Sequence, residues 1–245
     1  SLEVLKDASS LAIFGARGAN GVIIVSTKKA KTGKTTVNYS TSIGVKNITG
    51  KPSLTNATQF KTLYDEQRLN QGVAPYGAYN LFTANTDWID TIKNQGANVM
   101  NHNISVSNGT EKNRFYMGAG YIEEEGLIEN EKFKKFTFNL NNELELTDAI
   151  KIGVNLGGSD SRLPQLHSFS SALNATPIVN PFNDILGIYN QMPIEIGGAQ
   201  IGNPLLEVEG KKNTNISRNT RFVGSIFTEI KFLKDFKFRA SYLTD

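Results

Sequence analysis

From about residue 37 onward, apolar and polar side chains alternate one by one over stretch after stretch, the period of a β-strand with two unlike faces. Val37, Tyr39, Thr41, Ile43 and Val45 oppose Asn38, Ser40, Ser42 and Gly44. Met100, Ile104 and Val106 oppose Asn101, Asn103, Ser105 and Ser107. Phe115, Met117, Ala119 and Tyr121 share a face, with Gly118 and Gly120 on the other. Phe136, Phe138, Leu140, Leu144 and Leu146 alternate with Thr137, Asn139, Asn141, Glu143 and Glu145. Ile150, Ile152, Val154 and Leu156 alternate with Lys151, Gly153 and Asn155. A sixth strand is predicted over about 220–232, and Phe236, Phe238, Ala240 and Tyr242 open a seventh.

The connections separate a soluble sandwich from a membrane barrel, which alternation alone does not. Short links around 109–113, 147–149 and 233–235 alternate with gaps of roughly fifty, ten and nearly sixty residues. Tight turns at one end and long loops at the other are the layout of an up-and-down outer-membrane barrel. The polar faces, rich in Asn, Ser, Thr, Gly and Glu, suit a wet lumen. Within the long gaps, 55–70 predicts a helix with Asn56 or Thr55 as N-cap, and 86–94 a shorter one containing Trp88. The stretch 167–212, with Pro177, Pro181, Pro193 and Pro204, predicts a folded loop with short helical pieces.

The first thirty residues differ in character. Leu2–Leu5 and Val22–Val25 predict short strands, the second a continuous apolar run of the kind buried on both faces. Residues 7–14 predict a helical turn or two, and Gly15, Gly18 and Gly21 a tight turn. Lys28, Lys29, Lys31 and Lys34 mark a hinge. Expected domains are therefore 1–31 and 32–245, with about seven strands in the second and long loops near 47–97 and 161–218.

Composition narrows the chemistry. Of 245 residues none is Cys, which removes disulfides, thiol nucleophiles and cysteine metal sites. The net charge of +3 is spread out, so no nucleic-acid partner is expected. No apolar run approaches the roughly 18–20 residues of a spanning helix. Gly33-Lys34-Thr35 lacks the first glycine of a phosphate loop, and Gly15, Gly18 and Gly21 lack dinucleotide spacing. His102 and His167 are isolated, and the run Glu123–Glu125 reads as a solvated rim. No enzyme, no cofactor and no metal is expected. The chain opens at Ser1 and stops at Asp245 with a strand just begun, so it reads as an excerpt.

The segment Leu2-Glu3-Val4-Leu5-Lys6-Asp7-Ala8-Ser9, followed by Gly15-Ala16-Arg17-Gly18-Ala19-Asn20-Gly21-Val22-Ile23, resembles the end of the plug domain of TonB-dependent outer-membrane transporters. Its form resembles the SusC/RagA branch, found in Bacteroidota. Asn85-Thr86-Asp87-Trp88, Asn103-Ile104-Ser105-Val106-Ser107-Asn108-Gly109, Gly120-Tyr121 with Glu125-Gly126, and Phe236-Lys237-Phe238-Arg239 are similar to that family's early barrel. The resemblance implies a mainly all-β fold: an antiparallel up-and-down transmembrane β-barrel segment, preceded by the C-terminal part of an α/β plug, with helices in the external loops. It also implies import of a nutrient, glycan or peptide, across the outer membrane, in contact with outer-membrane lipid. The implied partners are a SusD-like lipoprotein lid and the inner-membrane TonB complex, which acts through a segment upstream of these residues. A barrel-based adhesion or signalling receptor is the alternative. Lys6, Asp7, Gly15, Arg17, Gly18, Asn20 and Gly21 are the candidate plug-docking residues, with Arg17 and Asn20 placed to bond barrel carboxylates or backbone. The plainer reading is a tight turn whose Arg is solvated.

Overall fold

The computed structural model describes residues 2–25, 32–165, 167–196, 201–210, 215–233 and 235–245, with the side chains of Ala8, Arg17 and Val25 outside that description. The hinge lysines Lys28, Lys29 and Lys31 also lie outside the described residues. Strands β1 (Leu2–Leu5) and β2 (Val22–Val25) pair antiparallel, Leu2 opposite Val25 and Leu5 opposite Val22. Between them run α1 (Ala8–Leu11) and a 3-10 turn over Ala12–Gly18. The expectation that β2 is buried on both faces does not hold here: Ile23 is 64% exposed and its cross-strand partner Val4 47%. A two-stranded ribbon carries no covering layer of its own, so its apolar side chains meet solvent.

All seven long strands form where the alternation predicts them, most running further at one or both ends. They are β3 (Gly33–Lys46), β4 (Ala97–Gly109), β5 (Asn113–Glu125), β6 (Lys132–Glu145), β7 (Ile150–Pro164), β10 (Ile216–Phe232) and β11 (Phe236–Thr244). A small hairpin, β8 (Phe182–Asn183) with β9 (Ile188–Tyr189), lies inside the second long loop and carried no alternation to announce it. The seven strands make one antiparallel sheet in the order β11-β10-β7-β6-β5-β4-β3, each beside its neighbour in sequence. This is the up-and-down order. The links 110–112, 146–149 and 233–235 lie at one end, and 47–96, 126–131 and 165–215 at the other. The β5–β6 link is shorter than the sequence spacing implied, because both strands continue past the last alternating apolar residue through paired charges.

The sheet's apolar face is uncovered. Val37, Tyr39, Ile43 and Val45 on β3 are all more than 60% exposed, and Met117, Phe136, Phe222, Ile226, Phe238 and Tyr242 between 47% and 69%. Soluble monomers do not leave contiguous apolar areas of that extent open. The register gives this belt a slope. One hydrogen-bonded row runs Thr41, His102, Tyr121, Phe136, Asp160, Thr220. The middles of the apolar stretches fall instead near positions 41, 103, 118, 141, 153 and 227, drifting toward the tight turns from β3 to β7 and levelling at β10. The drift is about seven residues over five strand-to-strand steps. At roughly 3.3 Å per residue and 4.8 Å between strands it inclines the belt by about 45°. Strands of closed membrane barrels tilt by about 35–45° for the same geometric reason. Measured across that tilt, the belt is about 20–24 Å tall, close to the roughly 25 Å apolar band of such barrels.

Candidate functional site

The hydrophobic core of this chain lies in the loops. Helices α2 (Ala57–Asn70), α3 (Trp88–Ile92), α4 (Ser168–Asn174) and α5 (Pro204–Gly210) gather at the loop end of the sheet. Trp88, Ile89, Ile92, Ile128, Ile178 and Val208 pack together there, all nearly or fully buried. Helix α2 starts where the cap signal placed it: Asn56 and Gln59 form a reciprocal capping box. The three links then bond across one another. Trp88 Nε1 donates to the Thr176 carbonyl at 2.8 Å, and Thr86 N donates to that of Pro177 at 2.7 Å. Tyr64 Oη reaches the Glu195 carbonyl at 3.0 Å. Asn94 N donates to the Leu127 carbonyl at 2.8 Å, so the β5–β6 link joins the same module. Glu207 of α5 accepts from His167 N at 2.8 Å and Ser171 Oγ at 3.0 Å, fixing the start of α4.

An ionic anchor holds α3. Asp87 caps the helix, accepting from Asp90 N at 3.1 Å. Lys51 reaches Asp87 at 2.6 Å and Asp90 at 2.7 Å, and Lys93 reaches Asp90 at 2.7 Å. Hydrogen bonds from Lys51 and then Lys93 hold the Asp90 carboxyl below its ordinary 3.8. A depressed carboxylate stabilises the fold above its unfolded value, and the contribution is lost as pH falls through the folded one. Acidification below pH 3.8 is therefore expected to weaken the anchor of α3, and Lys51→Gln to move Asp90's titration upward. Carbon-detected NMR titration of that carboxyl checks the direction; a midpoint unmoved in Lys51→Gln would remove Lys51 as the cause.

The opposite face of the sheet is a polar wall. Its rows place Ser40, Asn103, Gly120, Thr137, Ser159 and Arg221 side by side across six strands. Asn103 Nδ2 donates to Asn101 Oδ1 at 2.9 Å, and Asn155 Nδ2 to Ser225 Oγ at 3.1 Å. Toward the tight turns, Glu143 meets Lys151 at 2.8 Å and Glu229 meets Lys237 at 3.2 Å. A groove of about 420 Å³ runs along this wall over Asn139, Asn141 and Asn155, with Arg221 and Ser159 at its side. Arg221 is turned to Asp245, to which both Nε and Nη2 donate. Such a wall offers uncharged donors and acceptors over its middle and paired fixed charges toward the tight turns.

A large aromatic ring interrupts the wall near its tight-turn end. Phe227, 8% exposed, lies over Gly153, where an added Cβ would sit 2.0 Å from its ring. The Arg239 guanidinium covers the same ring at 4.1 Å from its centroid. Gly153→Ala is expected to displace Phe227 at a cost of about 1–3 kcal/mol, as overpacking does. Unfolding in detergent would measure it, and the penalty should largely vanish in a Phe227→Ala background.

The candidate docking residues fall around the β1–β2 ribbon. Asp7 is used locally: its carboxylate accepts from Ser9 Oγ at 2.7 Å, Ser10 N at 2.9 Å and Ser10 Oγ at 2.8 Å. These bonds, Ser9's first, hold its carboxyl far below the usual range. Gly15 has φ 59° and ψ −148°, a conformation open only to glycine, and kinks the 3-10 turn. Gly18 is the buried member of the set, while Lys6 and Asn20 are exposed and Gly21 half-buried. The Arg17 side chain lies outside the described residues. The isolated histidines have ordinary roles. His102 Nδ1 lies 2.9 Å from Tyr39 Oη and 3.0 Å from Thr41 Oγ1, so three polar groups within the belt satisfy one another. His167 offers its backbone N–H to Glu207. Glu123 and Glu125 are paired with Lys132 at 3.0 and 3.2 Å instead of being merely solvated. Among the described residues no group of three metal-ligating side chains converges.

Comparison with known proteins adds relatives to this geometry. No family model matches the chain. It is 35% identical over 161 residues to TonB-dependent receptor P3 of Formosa agariphila, covering 66% of this chain and 15% of that receptor. It is 28% identical to TonB-dependent receptor P26 of the same organism, covering all of this chain and 25% of that one. TonB-dependent receptor SusC of Bacteroides thetaiotaomicron is 31% identical over 142 residues, 58% of this chain and 14% of the receptor. The RagAB peptide importer in its closed-closed state superposes with a TM-score of 0.71 at 21% identity, over 98% of this chain and 31% of that one. The chain thus spans about a quarter or less of the curated relatives it matches. These relatives are receptors and importers, not enzymes. A tilted strand wall with one apolar and one polar face, preceded in the chain by a short glycine-kinked ribbon, matches the class these relatives define: part of the barrel of a TonB-dependent receptor. The chain's relatives in sequence are TonB-dependent receptors, SusC among them, and its fold is that of part of the RagAB importer.

Proposed function

We infer that these residues serve energised import of a nutrient across the Gram-negative outer membrane. The observation that carries the reading is the pairing of faces: an apolar belt inclined as in a closed membrane barrel, backed by a polar wall. Residues 1–31 form the end of the plug and 32–245 the first strands of the barrel around it. The apolar belt faces hydrocarbon, the tight turns lie in the periplasm, and the loop module stands outside the cell. There it receives cargo together with a SusD-like lipoprotein lid, while an upstream segment links the plug to the TonB complex. Lys6, Arg17 and Asn20 dock the plug on the barrel, the glycines shape the corner, and Asp7 holds that corner's helix start. The cargo is an oligosaccharide or a peptide, since the groove's Asn and Ser groups serve either backbone amides or sugar hydroxyls.

Purification of the whole receptor from outer membranes tests this. A surface lipoprotein and bound oligosaccharide or peptide should come with it. Its deletion should abolish growth on that cargo, and so should loss of the TonB complex. Growth unchanged by either deletion would overturn the import reading.

A further inference from the structure

Directly beyond the belt, on the same outer face, the sequence turns cationic. Lys134, Arg162 and Arg218 are successive partners in one hydrogen-bonded row across β6, β7 and β10. Their side chains are 48%, 55% and 59% exposed. Along strands inclined by about 45°, each residue gains roughly 2.3 Å of height. The three cations then stand about 16–21 Å from the middle of the belt, on the loop side. The apolar band of such a barrel reaches only about 12 Å from its middle. The cations therefore sit a few ångströms outside hydrocarbon, at the height of lipid headgroups. The apolar face that acyl chains would cover continues straight up to them through Phe136 and Phe222.

The neighbouring charges shape this row without cancelling it. Asp160 lies between the two guanidiniums, 2.7 Å from Arg218 Nε and 3.5 Å from Arg162 Nε, and also accepts from Thr220 Oγ1 at 2.6 Å. Glu123 faces Lys134 at 3.3 Å and shares Lys132 with Glu125. Four cations thus meet three carboxylates. Asp160 aims both arginines to one side of the row, and each keeps donors of its fork for a tetrahedral oxyanion.

Building on the outer-membrane reading above, we propose that Lys134, Arg162 and Arg218 form a docking site for the phosphate-bearing headgroup of a lipid in the outward-facing leaflet. The occupant is a lipid because the row is continuous with the belt, so one molecule can place its chains on Phe136 and Phe222 and its phosphate on the row. The site would seat one glycolipid or phospholipid beside β6, β7 and β10 and hold that part of the wall at a fixed depth.

The whole receptor in detergent, and reconstituted in nanodiscs of phosphatidylcholine with or without diphosphorylated lipid A, provides the test. Native mass spectrometry of the purified receptor is expected to retain lipid A. The triple variant Lys134→Gln, Arg162→Gln, Arg218→Gln is expected to retain at least fivefold less, with heat-modifiable gel mobility showing that its barrel is assembled. Asp160→Asn frees both guanidiniums and should raise retention. Equal retention by the wild type and the assembled triple variant would overturn the site, and a fall in Asp160→Asn would do the same. Displacement of lipid A by millimolar inorganic phosphate alone would make this a free-anion site and overturn the lipid assignment. Absence of the wild-type receptor from the outer membrane would overturn the import reading instead, which separates the two failures.

Discussion

Replacing Trp88 by Ala is expected to unfasten the loop module and cost about 3–5 kcal/mol, the range for large aromatic truncations in a packed core. Trp88 is 1% exposed and sits among residues from all three links at the loop end of the sheet. Its removal leaves a cavity bordered by Ile89, Ile178 and Val208 that the short helices cannot collapse to fill. It also strips the Thr176 carbonyl of the indole N–H, and an unsatisfied buried acceptor makes up about 1–3 kcal/mol of that cost where water cannot reach it. The seven-stranded wall makes its own ladder hydrogen bonds and should survive. Hydrogen exchange should therefore show faster exchange at α3, α4 and α5 and unchanged protection in β3–β7. Wild-type protection of α4 in Trp88→Ala would mean the module is held elsewhere. Phe in its place keeps most of the volume but not the donor, so it should fall between.

Leu140 gives the second large effect, and it tests orientation rather than packing. It lies close to the middle of the belt and pairs with Met117 on one side and Leu156 on the other. If that face meets hydrocarbon, Leu140→Lys should cost about 2–4 kcal/mol, the penalty for a cation at the midplane of such a barrel. Asn139 is one residue away, points to the polar wall and pairs with Gly118 and Gly157. The same change there, Asn139→Lys, should cost well under about 1 kcal/mol, since a lumen lysine stays hydrated. Urea unfolding of the two variants in phospholipid vesicles compares them directly. Equal penalties, or a larger one at Asn139, would reverse the faces.

Much of this molecule could be read before its coordinates. The seven long strands follow from period-two alternation, because a half-buried strand must segregate its side chains to two faces, and that rule acts residue by residue. The start of α2 follows from Asn56 and Gln59, since a cap is a contact among neighbours in sequence. Even the tilt of the belt was latent in the positions of the apolar runs, although reading it required the pairing register. The β8–β9 hairpin was not legible, because strands of two residues carry no period to detect. The short β5–β6 link was misjudged because charged residues such as Glu123 and Lys134 continue the strands by pairing across the ladder.

What the sequence by itself determined was the set of strands, their two-faced character and the resemblance of the opening segment to one receptor family. Local sterics and side-chain polarity suffice for the first two. Only the tertiary structure decided where the hydrophobic core lies, that Trp88 joins links more than eighty residues apart, and that Lys134, Arg162 and Arg218 share one row. The physical reason is the same in each case. Contacts between distant residues depend on strand register and on how loops close over one another, and neither is written in any local stretch of the chain.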